Sequence, residues 1–178
     1  MYNFKNKKTM KKFFILTLLL SILCVKTMVA QVEIDCSAPG IEVKYKRAFL
    51  HGKTATIHFT LTNNTGKDLN SRLESSEGTK SEVQKAEAYD DEGNYYDVNS
   101  GKMTVSVADA KIAGRYQARS FSFPNEITVK GVVTIKNVDE YVTSFTRIAI
   151  PFRNFDTTDD SYGVGYIILK NIPLLRDL

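Results

Sequence analysis

Tryptophan is absent from this 178-residue chain, and cysteine and histidine occur only twice each. A Cys2His2 zinc centre would need all four of those residues, yet Cys24, Cys36, His51 and His58 show no metal-ligand spacing. No stretch matches G-x-S-x-G, H-E-x-x-H or a Gly-rich phosphate loop between strand and helix, so the common hydrolase and nucleotide-binding signatures are missing. No apolar run reaches the ~20 residues that an α-helix needs to cross a bilayer. No window carries a capped apolar stripe of helical period, and internal repeats, low-complexity tracts and interdomain linkers are lacking too.

What is present begins with a targeting segment. Lys5, Lys7, Lys8, Lys11 and Lys12 precede a thirteen-residue apolar run from Phe13 to Val25, and "KTMVAQ" follows with Ala30 as the expected last residue before cleavage. This is the three-part layout of a secretory signal peptide. Residues 1–30 are therefore expected to leave on export, and the mature protein to be periplasmic or secreted with no transmembrane segment. Met10 offers a second start, since "MKKFFILTLLL" reads as a complete signal by itself. Cys24 invites comparison with a bacterial lipobox, but Ser21, Ile22 and Leu23 stand where Leu, a small residue and Gly or Ala are wanted, so no lipid anchor is expected.

Removing the signal reverses the charge. The chain has 24 Lys plus Arg and 20 Asp plus Glu, but residues 1–30 hold six lysines and no acid, which leaves 18 against 20 and a net charge near −2. The basic isoelectric point belongs to the signal and gives no reason to expect nucleic acid or an anionic membrane surface as a partner. The remaining 148 residues (178 less 30) suffice for one domain with a sizeable core. Cys36 is the one cysteine left, so the core must hold the fold without an intramolecular disulfide. It reads as a small, half-buried residue in an extended leader over 31–40, and no histidine pattern makes it a nucleophile.

From residue 41 to the end, period two dominates. "TATIHFTLTN" sends Ala55, Ile57, Phe59 and Leu61 one way and His58 with four threonines the other, and it ends in a turn at Asn63 to Gly66. "IEVKYKRAF" alternates Ile41, Val43 and Tyr45 with Glu42, Lys44 and Lys46, and "LHGK" turns the chain into the next strand. Further strands are expected in "VQKAEAYD", "KMTVSVAD", "ARSFSFP", "EITVKGVVTIKNV" and "SFTRIAIPF". "VGYIILKNI" carries Ile167, Ile168 and Leu169 in succession, as in a strand covered on both faces. "LNSRLESSEGTKSEVQKAE" is polar enough for a loop or one helical turn. The expected fold is an all-β, immunoglobulin-like, antiparallel two-sheet sandwich of about eight strands over 41–178, with a closed β-barrel as the alternative. Its core should gather Ile57, Phe59, Leu61, Phe121, Phe123, Val133, Ile135, Ile148 and Ile150.

"GKTATIHFTLTNNTGKDL", "AEAYDDEGNYYDV" and "RSFSFPNEITVKGVVTIKNV" with "FTRIAIPF" resemble the telokin-like, immunoglobulin-fold domains of unknown function found in secreted bacterial proteins of the Bacteroidetes type. The resemblance spans roughly residues 41–172, and this chain lacks the Cys and Trp pattern of antibody-type domains. It implies an extracytoplasmic accessory or binding module and brings over no catalytic residue.

The residue clusters that invite a functional reading each have a plainer one. Asp90, Asp91 and Glu92, with Asp97 close by, supply oxygens for Ca²⁺ but miss the D-x-[DN]-x-[DN]-G spacing and its distal glutamate. Gly93 and Asn94 tolerate positive φ, so "DDEGN" is read as a hairpin tip with Glu92, Gly93 and Asn94 exposed and Ala88 and Tyr95 in the flanking strands. Asp156, Asp159 and Asp160 read as a solvated loop. Tyr89, Tyr95, Tyr96, Tyr116, Tyr141 and Tyr162 are candidates for stacking on a sugar or anchoring a partner, against packing over strand ends. His58 lies on the polar face of its strand and His51 beside a turn. No catalytic, cofactor-binding or metal-ligating residue is assigned and no cofactor is expected. The expectation is a non-enzymatic, exported binding module that contacts a protein or cell-envelope partner through loops and edge strands. A small extracytoplasmic hydrolase using the acidic loops, or a glycan- or calcium-binding domain, is the alternative.

Overall fold

The computed structural model describes residues 31–75, 85–156 and 162–176; the expected signal peptide, Cys24, Asp159 and Asp160 lie outside them. The described residues form thirteen strands: β1 Glu33–Cys36, β2 Ile41–His51, β3 Thr54–Asn63, β4 Leu69–Glu74, β5 Glu87–Asp90, β6 Tyr95–Asp97, β7 Met103–Val107, β8 Ala110–Ile112, β9 Ala118–Phe123, β10 Thr128–Lys136, β11 Ser144–Asp156, β12 Tyr162–Pro173 and β13 Leu175–Arg176. Among these residues no helix is long and apolar enough to cross a membrane.

The strands make two sheets, and neither closes into a barrel. The first runs β1-β12-β11-β4-β9, with β5 on β11 and β6 on β5; the second runs β13-β2-β3-β10-β7-β8. Every pairing is antiparallel except the short one between β13 and β2. The order β2-β3-β10-β7 facing β12-β11-β4 is that of the ABED and GFC sheets of a constant-type immunoglobulin sandwich. The thirteen-residue β11 is long enough to take two partners end to end: β5 pairs with its first half from Phe145 to Ala149, and β4 with its second half from Phe152 to Asp156.

Side-chain alternation sets the register. All nine expected core residues are buried in one contiguous core, because each sheet turns one face of every alternating strand toward the other. β12 lies between β1 and β11, and Ile168 on its outward side is covered with Ala149 by Tyr166, while Ile167 and Leu169 enter the main core. Gly131 in β10 stands opposite Phe59, where a Cβ would come within 2.3 Å of the Phe59 ring; a close ring approach is what a glycine inside a strand permits.

The strand count exceeds the expected eight for identifiable reasons. Leu69–Glu74, part of a stretch read as loop or helical turn, is β4: Leu69 and Leu73 point inward with Ser71 between them, and the Ser71 hydroxyl bonds Asn154 Oδ1 at 2.5 Å. A polar residue on the inward face hid the alternation. Glu33–Cys36, within the segment read as a leader, is the edge strand β1, paired with Ile167–Lys170. β2 continues through His51, so only Gly52 and Lys53 turn the chain, with Gly52 at φ +55. Ile127, within the expected strand "EITVKGVVTIKNV", is 49% exposed because the strand begins at Thr128, after Glu126 at φ +61.

Candidate functional site: two solvent faces

The acidic hairpin is built as expected and tied down more tightly than expected. Tyr89 pairs with Tyr95 and Ala88 with Tyr96, and Glu92, Gly93 and Asn94 are exposed at the tip with Gly93 at φ +83. Asp90, however, faces inward and is buried. Its Oδ1 accepts from the backbone N–H of Glu92 (3.1 Å) and of Asn94 (2.8 Å), and its Oδ2 from Asn94 Nδ2 (3.0 Å) and the Tyr96 hydroxyl (2.8 Å). Four donors fill the lone-pair positions of one carboxylate. Asp91 leans across to the start of β11, accepting from the Thr143 hydroxyl, from the backbone N–H of Thr143 (3.0 Å) and from that of Ser144 (3.1 Å). Partial burial pushes the Asp91 carboxyl up, but the Thr143 and Ser144 donors outweigh it and hold the group below its usual range. These acids are brackets for the turn, and their oxygens are committed to protein donors.

On the outer face of the first sheet, charges pair across strands. Glu87 and Asp97 stand in register, with the Tyr95 hydroxyl donating to Asp97 Oδ2 at 3.0 Å and lying 3.5 Å from Glu87 Oε2. Arg147 binds Glu87 at 2.7 Å, and Lys85 reaches both carboxylates at 4.0 and 3.9 Å. Glu74, only 6% exposed, is held by Arg153 at 3.0 Å and Arg72 at 3.5 Å. Burial raises the Asp97 carboxyl, yet hydrogen bonds from Ser100 and Tyr95 and the charge of Lys85 bring it below the usual value. Two neighbouring carboxylates suit general acid chemistry only when one is held protonated, and the donors and cation around Asp97 favour its ionised form.

On the outer face of the second sheet Lys44 pairs with Glu42 at 3.0 Å, but the stretch from Lys46 onward has the opposite character. The pairing of β2 with β3 slips between Tyr45 and Arg47, and Lys46 is the extra residue of the bulge. Strand neighbours ordinarily point to opposite faces, but the bulge exposes Lys46 and Arg47 together and shifts the inward phase to Ala48 and Leu50. Beside them lies an open groove of about 580 Å³ that crosses β2, β3 and β10. Lys46 and Arg47 form one side and Lys130 the other, with His58, Phe59, Thr60, Gly131 and Val132 completing the lining; among the described residues no carboxylate lines it. The Arg47 guanidinium lies 5.0 Å above the Phe49 ring, which meets His58 edge-on at 6.2 Å between ring centroids. Partial burial and, after it, the Arg47 charge push His58 below its ordinary value, so at neutral pH it is an uncharged donor and acceptor.

The remaining residues singled out from sequence do not converge. Tyr96 is buried against Phe145, Tyr95 belongs to the ion-pair cluster, and Tyr116 and Tyr141 are 90% and 74% exposed on separate loops. Cys36 is half-buried in β1 with its thiol pushed up by burial and then by Asp35, which keeps it from acting as a thiolate. His51 is exposed at the end of β2, on the far side of the Gly52 turn from His58's strand. Among the described residues no group of three His, Cys, Asp or Glu side chains is arranged to hold a metal ion. Sequence reading missed Lys46, Arg47 and Lys130; the available signal was the adjacent Lys-Arg pair interrupting the alternation of "IEVKYKRAFL". No family model matches the chain, and no curated protein matches it.

Proposed function

We propose that the mature chain is an exported, non-enzymatic, immunoglobulin-like binding module of the telokin-like kind, and that it engages a protein or cell-envelope partner with the solvent face of its second sheet. The observation that carries this reading is the groove whose three cations, Lys46, Arg47 and Lys130, share its lining with no carboxylate among the described residues. Uncompensated like charges gathered on a rigid sheet lower stability slightly through repulsion, and an anionic partner relieves that cost. The groove is of ligand size and sits on strands rather than on loops, so it is preformed. Against a hydrolase built on the acidic residues stand the four donors on Asp90, the Thr143 and Ser144 clamp on Asp91, and the cation partners of Glu87 and Asp97.

The test is capture from envelope extract by the immobilised mature protein, comparing the native sequence with Lys46→Glu/Lys130→Glu. The reading expects the captured material to fall at least tenfold with the reversed groove. Equal capture by both forms would place the partner elsewhere on the molecule.

A further inference from the structure

We propose that the groove across β2, β3 and β10 takes an acidic polysaccharide, whose anionic groups sit between Lys46 and Arg47 on one side and Lys130 on the other while its hydroxyls meet the threonine-bearing strands between; this rests on the reading of that face as the binding face. Three features favour this occupant. β2 and β10 both pair with β3, so the two cationic sides stand two strand spacings apart, ~10 Å between backbones. That separation fits charges repeated along a chain better than it fits one compact anion. The Arg47 guanidinium lies 5.0 Å above the Phe49 ring and has no carboxylate partner among the described residues, so its N–H groups are available to a carboxylate or sulfate.

Thr60 brings a hydroxyl into the groove, and a row of further hydroxyls lies beside it. Thr60 lies in the groove opposite Lys130, and the row next to His58 and Val132 is Thr56, Thr134 and Thr104 on three adjacent strands. Thr62 and Thr128 already pair through their hydroxyls at 2.8 Å, so this face supports bonds between hydroxyls. A protein partner, by contrast, would look for an apolar anchor. Among the described residues the exposed large apolar ones are Ile34, Tyr89, Tyr116, Ile127, Tyr141 and Leu175, and none of them lines the groove. An added peptide strand would find no free ladder either, because β3 and β10 are paired on both sides.

His58 gives the interaction a pH signature. It faces Arg47 and Phe49 from β2 and Val132 from β10, with Lys46 and Lys130 flanking the groove and no carboxylate in it. A bound anion favours the imidazolium that Arg47 otherwise opposes, so affinity should rise as pH falls from 7.5 to 5.5.

The experiment is calorimetric titration of the mature protein with polygalacturonate, heparin, neutral dextran and polyglutamate at low and moderate salt. Expected are binding to at least one of the two anionic polysaccharides, none to dextran, and at least tenfold weaker binding to polyglutamate at equal charge. Lys46→Glu/Lys130→Glu should weaken the polysaccharide at least tenfold, Arg119→Glu on the distant edge strand β9 should not, and His58→Gln should remove the gain at pH 5.5. Failure of both anionic polysaccharides to bind, equal binding of polyglutamate, or indifference to the groove variant would overturn the proposal. If envelope capture still depends on Lys46 and Lys130 while neither polysaccharide binds, the ligand class is wrong and the binding face stands; if capture is indifferent to them, the face itself is wrong.

Discussion

The two outer faces of this sandwich use charge in opposite ways. On the first sheet, Arg147 and Arg153 each face a carboxylate from a neighbouring strand, Arg72 pairs with Glu74 two residues along its own strand, and Lys85 reaches Glu87 and Asp97. On the second sheet, Lys46, Arg47 and Lys130 line a groove that contains no acid among the described residues. A paired charge on a half-buried face satisfies its partner and helps fix which strands lie together; a cation without a partner contributes little to the fold and is free for something outside it. The same amino-acid types thus serve architecture on one side and stay unneutralised on the other, where the proposed recognition would use them. Net charge summed over the chain conceals this, because it does not record where on the surface the charges meet.

Substitutions that sharpen the contrast fall in a clear order of size. Asp90→Ala removes the acceptor of four donors and strands the Tyr96 hydroxyl inside the protein, so urea denaturation should show a loss of about 3 kcal/mol. Combining it with Tyr96→Phe should recover part of that loss, since the stranded group is then gone. Glu74→Ala leaves Arg72 and Arg153 facing each other across β4 and β11, and about 1–2 kcal/mol is expected from the same measurement.

Acid brings a smaller effect. Asp97 is held below its unfolded value in the folded protein, so its contribution is present above that unfolded value and is lost as pH falls through the folded one. Asp97→Asn should therefore flatten the loss of stability below about pH 4, the ordinary aspartate range, and leave the slope near neutrality unchanged. Smallest of all, Lys46→Glu/Lys130→Glu should change stability by less than about 0.5 kcal/mol, because no partner is lost and mutual repulsion is relieved. A loss of 2 kcal/mol or more there would make the second face structural too and erase the distinction.

Much of the scaffold was legible as alternation. Ile57, Phe59 and Leu61, or Ile148 and Ile150, define an inward face without knowledge of the partner strand, and Gly93 with Asn94 marks a turn by local geometry alone. β4 was not legible, because inward Ser71 is stabilised by Asn154, a residue of a different strand. The role of Asp90 was hidden for a related reason: its acid reads as part of an exposed run until the hairpin closes and brings Tyr96 over it. The groove is the least legible feature. Lys46 and Arg47 share a face only through a bulge, and Lys130 joins them only because β10 pairs with β3. Spacing along the chain carries no record of that meeting.

The central claim is that recognition belongs to the cationic face, and an ¹⁵N-resolved NMR titration of the mature protein with soluble envelope polysaccharide tests it most directly. The account predicts amide shifts concentrated at Lys46 and Arg47, at His58 to Thr60 and at Lys130 to Val132, shrinking as salt is raised and as the exposed charges are screened. Shifts centred instead on the 87–97 hairpin or on the edge strands β1 and β9, with the groove unmoved, would contradict it.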